Sequence, residues 1–322
     1  MRLPGFPVSL KVASRLARTT VLLQHERVPE LPDIKVYVDA MTARVAGRTL
    51  ERMRIGNPFV VRSISPTPAE VAGLMVTVVG HRAKRIVISL EQDVHVFIHL
   101  MIAGRLHWKD KGAPLKGRNQ LAALDFDNGT LVLTEAGTKR RASIHLARGA
   151  TASAELDRGG LDPLAITEAR FRERLSEENH TLKRALTDQR LLAGIGNAYS
   201  DEILLAARLS PFKQTRGLTD DEWQRLYAAT RETLNHWIDR LRREAGDGFP
   251  KKVTAFREGM SVHGRYRKPC PICGSPVQRI VYAENEANYC ARCQTGERLL
   301  ADRSLSRLLK DNWPKRLEDL EE

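Results

Sequence analysis

The chain has 322 residues, with 52 Lys and Arg against 39 Asp and Glu, a net charge of +13 and a pI of about 9.8. That length suffices for two or three separately cored domains, and no stretch approaches the ~18 consecutive apolar residues of a membrane span. The basic excess points to a polyanionic partner, nucleic acid before anionic membrane, with a solvated basic surface as the plain alternative.

Residues 1–28 contain Pro4, Gly5 and Pro7, show no clean period, and hold no apolar run longer than Val21-Leu22-Leu23. They carry no convincing secretory signal. They are expected to be disordered or not made in the native protein. All four cysteines fall within residues 270–293, which with the missing signal predicts a reducing, cytoplasmic setting.

Pro29-Glu30-Leu31-Pro32-Asp33 precedes a strong amphipathic pattern. Asp33 is expected to cap a helix in which Ile34, Val38, Met41 and Val45 share one face, with Gly47 ending it. The Pro29 nitrogen and the Glu30 carboxylate would then sit at a helix N-terminus, where the macrodipole is positive. As a chain terminus Pro29 would be a secondary amine with a useful neutral fraction, since α-amino groups titrate at roughly 7.7–8.0. Inside a chain its nitrogen is an amide and no nucleophile.

Residues 50–134 read as strands. Lys84–Leu90 and Val94–Leu100 alternate around Gln92-Asp93, and Asp127-Asn128-Gly129 is a strong hairpin signal. Short strands with tight turns predict a β-sandwich or barrel-like half. His81, His95, His99 and His107 fit no metal spacing and are expected to be packed or on the surface. The Gly, Ala, Asp and Pro of residues 147–163 read as an interdomain linker. Residues 166–244 read as helical, with a capping box from Thr219 to Glu222 and a core stripe from Trp223 through Trp237 to Leu241.

In this helical region a first helix is expected to end near Leu186 and a second to begin near Asn197. Gly194 and Gly196 lie in the turn between them. Glycines before a helix let its unpaired N–H groups approach a phosphate. An ordinary helix–helix turn has the same look, but in a basic chain the turn reads as a DNA-backbone clamp. Cys270 and Cys273, then sixteen residues, then Cys290 and Cys293 match a four-cysteine zinc template, favoured over disulfides or free thiols. Such a site is closed and structural. Residues 298–322 look like a packing helix with an acidic end.

These elements, in this order, resemble the formamidopyrimidine-DNA glycosylase and endonuclease VIII family. The motifs are PELPD at 29–33, HRAKRIVISL around Lys84, HLMIAGRL at 99–106, LTDQRLLAGIGNAYSDEIL at 186–204, and VHGRYRKPCPICG followed by NYCARCQ. The resemblance spans roughly residues 29–297. It implies an α+β multidomain fold: a β-sandwich with a leading helix at 29–146, a linker at 147–165, a helix–two-turn–helix domain at 166–260, a zinc finger at 261–297, and a helical tail at 298–322.

It implies a bifunctional glycosylase and abasic-site lyase that removes oxidised bases from double-stranded damaged DNA. The enzyme would be a monomer, away from membranes, with one structural zinc ion. Pro29 would attack C1′ to form a Schiff base, Glu30 would serve proton transfer at the sugar, and Lys84 would contact the lesion or its phosphate. One β-elimination, or a β then a δ step, would follow. Asn197 and the backbone of Gly194 and Gly196 would bind phosphate, with Ile102, Arg140, Arg141 and Arg292 as further DNA contacts.

Translation from a GUG codon at Val28, followed by loss of the initiator Met, would expose Pro29. If the extension is instead retained, the expectation becomes a non-catalytic binder of damaged or abasic DNA. A zinc-ribbon binder of other function would leave PELPD and GIGN unexplained. The chain departs from the family in several places. Asp33 replaces a common Glu, and Ile102, beside Met101, stands where a Met is usual. Lys139-Arg140-Arg141-Ala142 replaces an Arg-Arg-Phe loop. Asn285 replaces a finger Arg, leaving Arg279 or Arg292 to substitute or the grip to weaken.

Overall fold

The computed structural model describes residues 28–136, 140–251, 257–282, 285–301 and 314–320. The expected disorder of residues 1–27, and Lys139, lie outside these.

Helix α1 spans Leu31–Val45. Pro32 fits its first turn, where the missing N–H would find no partner anyway. Glu30, not Asp33, is the N-cap residue, and Asp33 closes the turn from three positions on by accepting the Glu30 N–H at 3.0 Å. The expected cap thus shifts three residues upstream. Ala46 and Gly47, at φ +71°, end the helix. Ile34, Met41 and Val45 are buried, with Val38 packed at the edge.

Eight strands follow: β1 (Thr49–Ile55), β2 (Leu74–Arg82), β3 (Arg85–Leu90), β4 (Val94–His99), β5 (Gly104–Lys109), β6 (Gln120–Phe126), β7 (Gly129–Glu135) and β8 (Ser143–Arg148). Their order is β5-β7-β6-β1-β2-β3-β4-β8, every neighbouring pair antiparallel. β1 and β2 share only the Thr49–Met75 and Leu50–Leu74 pairs. The ladder therefore folds over at that joint into two four-strand layers, the expected β-sandwich. Ile86, Ile88, Val96, Ile98 and Ile144 of one layer meet Leu106, Leu124, Phe126, Leu131 and Leu133 of the other, with Tyr37 and Met41 of α1 joining that core. Each fully buried side chain of this size contributes roughly 1.5–3 kcal/mol.

Gln92 and Asp93 both have positive φ, the backbone of a tight hairpin. At the Asp127-Asn128-Gly129 hairpin the glycine has another reason. Its φ is not positive, and an added Cβ would run into the Trp108 indole, which lies over the strand and stacks on Phe126 at 6.1 Å.

The expected linker region holds the last residues of β8 and a short helix, α2 (Gly149–Glu155), so ordered structure continues past residue 146. The second half contains α3 (Glu168–Ser176), α4 (Leu182–Thr187), α5 (Asn197–Ala206) and α6 (Asp220–Ala245). The capping box is formed by Thr219 and Glu222, and Trp223, Leu226, Leu234 and Trp237 bury the long stripe. Leu31, the first residue of α1, belongs to this second core rather than to the sandwich core.

The finger consists of the hairpin β9 (Gln278–Tyr282) and β10 (Asn285–Tyr289) and helix α7 (Ala291–Thr295). The described stretch of the tail is not α-helical: Arg298 bridges to Arg316, and Leu317–Leu320 is a 3-10 turn. Leu299, Leu300 and Leu317 bury instead against Ile280 and Tyr289 of the finger, which explains their apolar character without a helix. Residues 302–313, with Leu305, Leu308 and Leu309, lie outside the described residues.

Candidate active site

Glu30 and Leu31 dock on the turn between α4 and α5. The Leu31 N–H donates to the Gly194 carbonyl at 3.0 Å. Gly194 has φ +90°, and a Cβ there would lie 2.8 Å from Leu31 Cβ, so both backbone conformation and packing require glycine. Gln189 shapes the turn, accepting the Gly194 N–H at 2.9 Å and donating to the Ile195 carbonyl at 2.6 Å.

The Glu30 carboxylate reaches into the N-terminus of α5. It accepts the N–H groups of Gly196 at 2.6 Å, Ala198 at 3.0 Å and Tyr199 at 3.3 Å. The turn presents N–H groups at a positive helix end, and an internal anion takes those of Gly196, Ala198 and Tyr199, not that of Asn197. Gly194 and Gly196 allow the close approach of Leu31, Glu30 and Lys84. Asn197 remains half-exposed at the head of α5, and its side chain makes no hydrogen bond among the described residues.

Lys84 follows the β2–β3 turn, where Ala83 takes φ +50°. Its ammonium and the Glu30 carboxylate share the space beside Gly196. A Cβ on that glycine would collide with Lys84 Nζ and would stand 2.5 Å from Glu30 Cδ and 2.6 Å from Glu30 Oε1. Among the described residues Lys84 has no hydrogen bond and no ion pair. Burial pushes its ammonium below the usual lysine range; Glu30 and Asp33 pull the other way, and Lys183 adds to the fall. His99, on β4 near Lys84 and Arg85, is pushed down to about 4, by burial first and then by those cations. Asp33, fully buried, pairs with Arg257 at 2.6 Å. Pro29 is buried at the head of this assembly. The structure thus brings Pro29, Glu30, Lys84, Gly196 and Asn197 together from three segments.

Behind α5 lies a buried polar network that sequence reasoning missed. Lys183 on α4 donates to the Asn197 carbonyl at 2.7 Å and to Asp201 Oδ1 at 2.5 Å. Asp201 Oδ2 accepts from His263 Nδ1 at 2.8 Å and Asn288 Nδ2 at 3.2 Å. Asn288, on β10, also donates to Glu286 at 2.9 Å. The adjacent Glu202 accepts the N–H groups of Ser261, Val262 and His263 at 2.7–2.9 Å. Burial pushes Asp201 up, but Lys183 and His263 outweigh it and hold the carboxyl low. Burial pushes His263 down, and Asp201 outweighs it and raises the imidazole. The only sequence signal was two charges, Lys183 and Asp201, on otherwise apolar helix faces.

The four cysteine sulfurs lie within 4.8 Å of one another, and Cys273 and Cys290 Sγ are 3.4 Å apart with no disulfide. Four convergent sulfurs are the donor set of a tetrahedral structural zinc ion, and the cluster is the site of one. Among the described residues the cysteines form the metal-type cluster, and His81, His95, His99 and His107 lie outside it. The remaining predicted contacts are dispersed. Ile102 is half-buried in the β4–β5 turn, and Arg140 is half-buried. Arg141 is exposed, its backbone N–H held by the buried Glu135 at 2.9 Å. Arg292 pairs with Glu297 at 3.0 Å. Arg279 stacks on Tyr266, 4.7 Å from the ring centre.

Family models cover all three domains. A formamidopyrimidine-DNA glycosylase N-terminal domain matches residues 28–142, the family's H2TH domain matches 160–244, and a zinc finger found in FPG and IleRS matches 267–296. A formamidopyrimidine-DNA glycosylase of Chloroflexus aurantiacus is 30% identical over 286 residues, covering 83% of this chain and 98% of the relative. One from Thermus thermophilus is 32% identical over 282 residues, with coverage of 83% and 98%. The fold matches that of Lactococcus lactis Fpg in complex with abasic-site DNA, with a TM-score of 0.72 at 23% identity over 83% of this chain and 99% of that one.

Proposed function

The chain belongs to the formamidopyrimidine-DNA glycosylase family, and from that premise we propose that it excises oxidised bases from duplex DNA and then cuts the strand at the abasic site. The observation that carries the reading is the Glu30 carboxylate, fixed by three backbone N–H groups directly after Pro29 and beside Lys84.

Base expulsion needs a nucleophile at C1′ and proton transfer that opens the sugar. In a chain beginning at Pro29, the secondary amine attacks C1′ and the departing base leaves an iminium. The iminium acidifies the C2′ proton, and the 3′ phosphate then leaves by β-elimination; a δ-elimination can release the 5′ phosphate. Glu30 cannot swing freely, because leaving its place would strand three N–H donors, so its carboxylate meets the sugar in one orientation. Lys84 supplies the cation at the sugar or its flanking phosphate. C1′ is hidden in a duplex, so the nucleotide must be flipped out at a cost of a few kcal/mol. Ile102, Arg140 and Arg141 are the candidates to fill and hold the gap, with Asn197 on the backbone. Arg292, tied to Glu297, is the weakest of them. The proposed setting is the cytoplasm and the proposed state a monomer.

The test is borohydride trapping on duplexes carrying an abasic site or a single oxidised base, with protein that begins at Pro29. A covalent adduct that disappears in Pro29→Gly supports the reading. Tight binding without an adduct would favour a non-catalytic binder of damaged DNA.

A further inference from the structure

We propose that Lys84 is a second amine nucleophile, able to open abasic sites through its own Schiff base when the Pro29 nitrogen is tied up in a peptide bond. The inference rests on the proposal that the Glu30 cleft receives the damaged sugar.

Two facts of placement carry it. The Lys84 amine and the Glu30 carboxylate border the same small space beside Gly196, and Pro29 is covalently next to Glu30. A sugar carbon within reach of Pro29 is therefore close to Lys84 as well. The second fact is that Lys84 is unengaged. The neighbouring lysine, Lys183, is committed to Asp201 and the Asn197 carbonyl, whereas Lys84 has no hydrogen bond or ion pair among the described residues. Its nitrogen is not anchored to a neighbouring acceptor and can turn toward a sugar carbon. Burial also favours the neutral amine, the form that attacks carbonyl carbon.

An abasic deoxyribose exists partly as the ring-opened aldehyde, so no base need be expelled. The Lys84 amine adds to C1′, and the carbinolamine loses water to give a protonated imine. A C2′ proton passes to solvent, and the resulting enamine expels the 3′ phosphate as the C3′–O bond breaks and a C2′=C3′ double bond forms. Water then hydrolyses the imine, releasing an unsaturated aldehyde end and restoring the amine. No oxidant or reductant is consumed. The step as written starts from an existing abasic site and requires no base expulsion.

The experiment uses the full 322-residue chain, with Met1 or residue 2 verified as the terminus by intact mass. It is incubated with an abasic duplex and borohydride, and the adduct is mapped by peptide mass. The expected result is reduction of the imine onto Lys84. Lys84→Arg, which keeps the cation but lacks a nucleophilic amine, should lower the trapped fraction roughly tenfold or more, with thermal melting to check the fold. An adduct on any other residue, or binding of the abasic duplex without an adduct, overturns the inference and leaves the site assignment standing. Failure to bind the abasic duplex overturns both.

Discussion

The Glu30 carboxylate and the Gly196 N–H, 166 residues apart in the chain, meet in a 2.6 Å hydrogen bond at the head of α5. Lys84 Nζ lies against the same glycine. Several consequences can be measured from this one crossing point.

Gly196→Ala should lower Schiff-base trapping without unfolding the protein. The lysine tip can retreat from a new methyl, but Glu30 is pinned and would have to abandon hydrogen bonds to give way. Hydrogen bonds to a charged group are worth about 1.5–3 kcal/mol each. With protein starting at Pro29, the trapping rate should drop roughly tenfold or more while affinity for abasic DNA changes little. Equal trapping by both proteins would show that Glu30 needs no fixed seat.

Truncating the carboxylate has a thermodynamic signature. Glu30→Ala leaves the N–H groups of Gly196, Ala198 and Tyr199 buried and unmatched, at about 1–3 kcal/mol for each unsatisfied group less whatever water recovers. Denaturant titration should show a loss of at least about 2 kcal/mol, and Glu30→Gln a smaller one. A stability change within about 0.5 kcal/mol of zero would mean that the cap is dispensable.

The His263–Asp201 pair predicts a definite pH trend. His263 has its folded value raised above the ordinary 6.5. Its stabilisation is therefore full below about 6.5 and is lost as pH rises through the folded value. Asp201 is depressed below 3.8, so its share is present above that value and fades only as pH falls through the lower folded one. The stability gap between wild type and His263→Gln should thus be wider at about pH 6 than at about pH 9. A gap that is flat, or that widens with pH, contradicts the pairing.

Zinc removal should be felt beyond the finger. Asn288 reaches Asp201, Glu202 holds the backbone of residues 261–263, and Gln294 Nε2 donates to the Leu209 carbonyl at 2.9 Å. In the chelated protein, hydrogen exchange should quicken in α5, remain unchanged in β3 and β4, and accompany weaker DNA binding. Uniform protection before and after chelation would confine zinc to a local role.

Much of this architecture was legible because it is local. The helix face from Ile34 to Val45, the Gln92-Asp93 hairpin, the Thr219 cap and the cysteine spacing are each set by neighbours a few residues away. The occupant of the α5 N-terminus was not legible, because the GIGN pattern reveals that N–H groups are free but not which anion arrives. Residue type also misled about cause at Gly129, where the glycine makes room for Trp108 rather than supplying a turn conformation. Lys183, Asp201, His263 and Asn288 lie on four separate segments, and beyond two charges on apolar helix faces no local pattern links them until the fold buries them together.

Synthesis runs from the N-terminus, so Pro29, Glu30 and Leu31 emerge long before the turn that receives them. Leu31 has no core to enter and Glu30 no donors to meet until residues 194–199 have been made and folded. A half-finished or prematurely terminated polypeptide carries Pro29, Glu30 and Leu31 but not their seat. The donors that fix the Glu30 carboxylate therefore exist only once the ribosome has delivered the second half of the molecule.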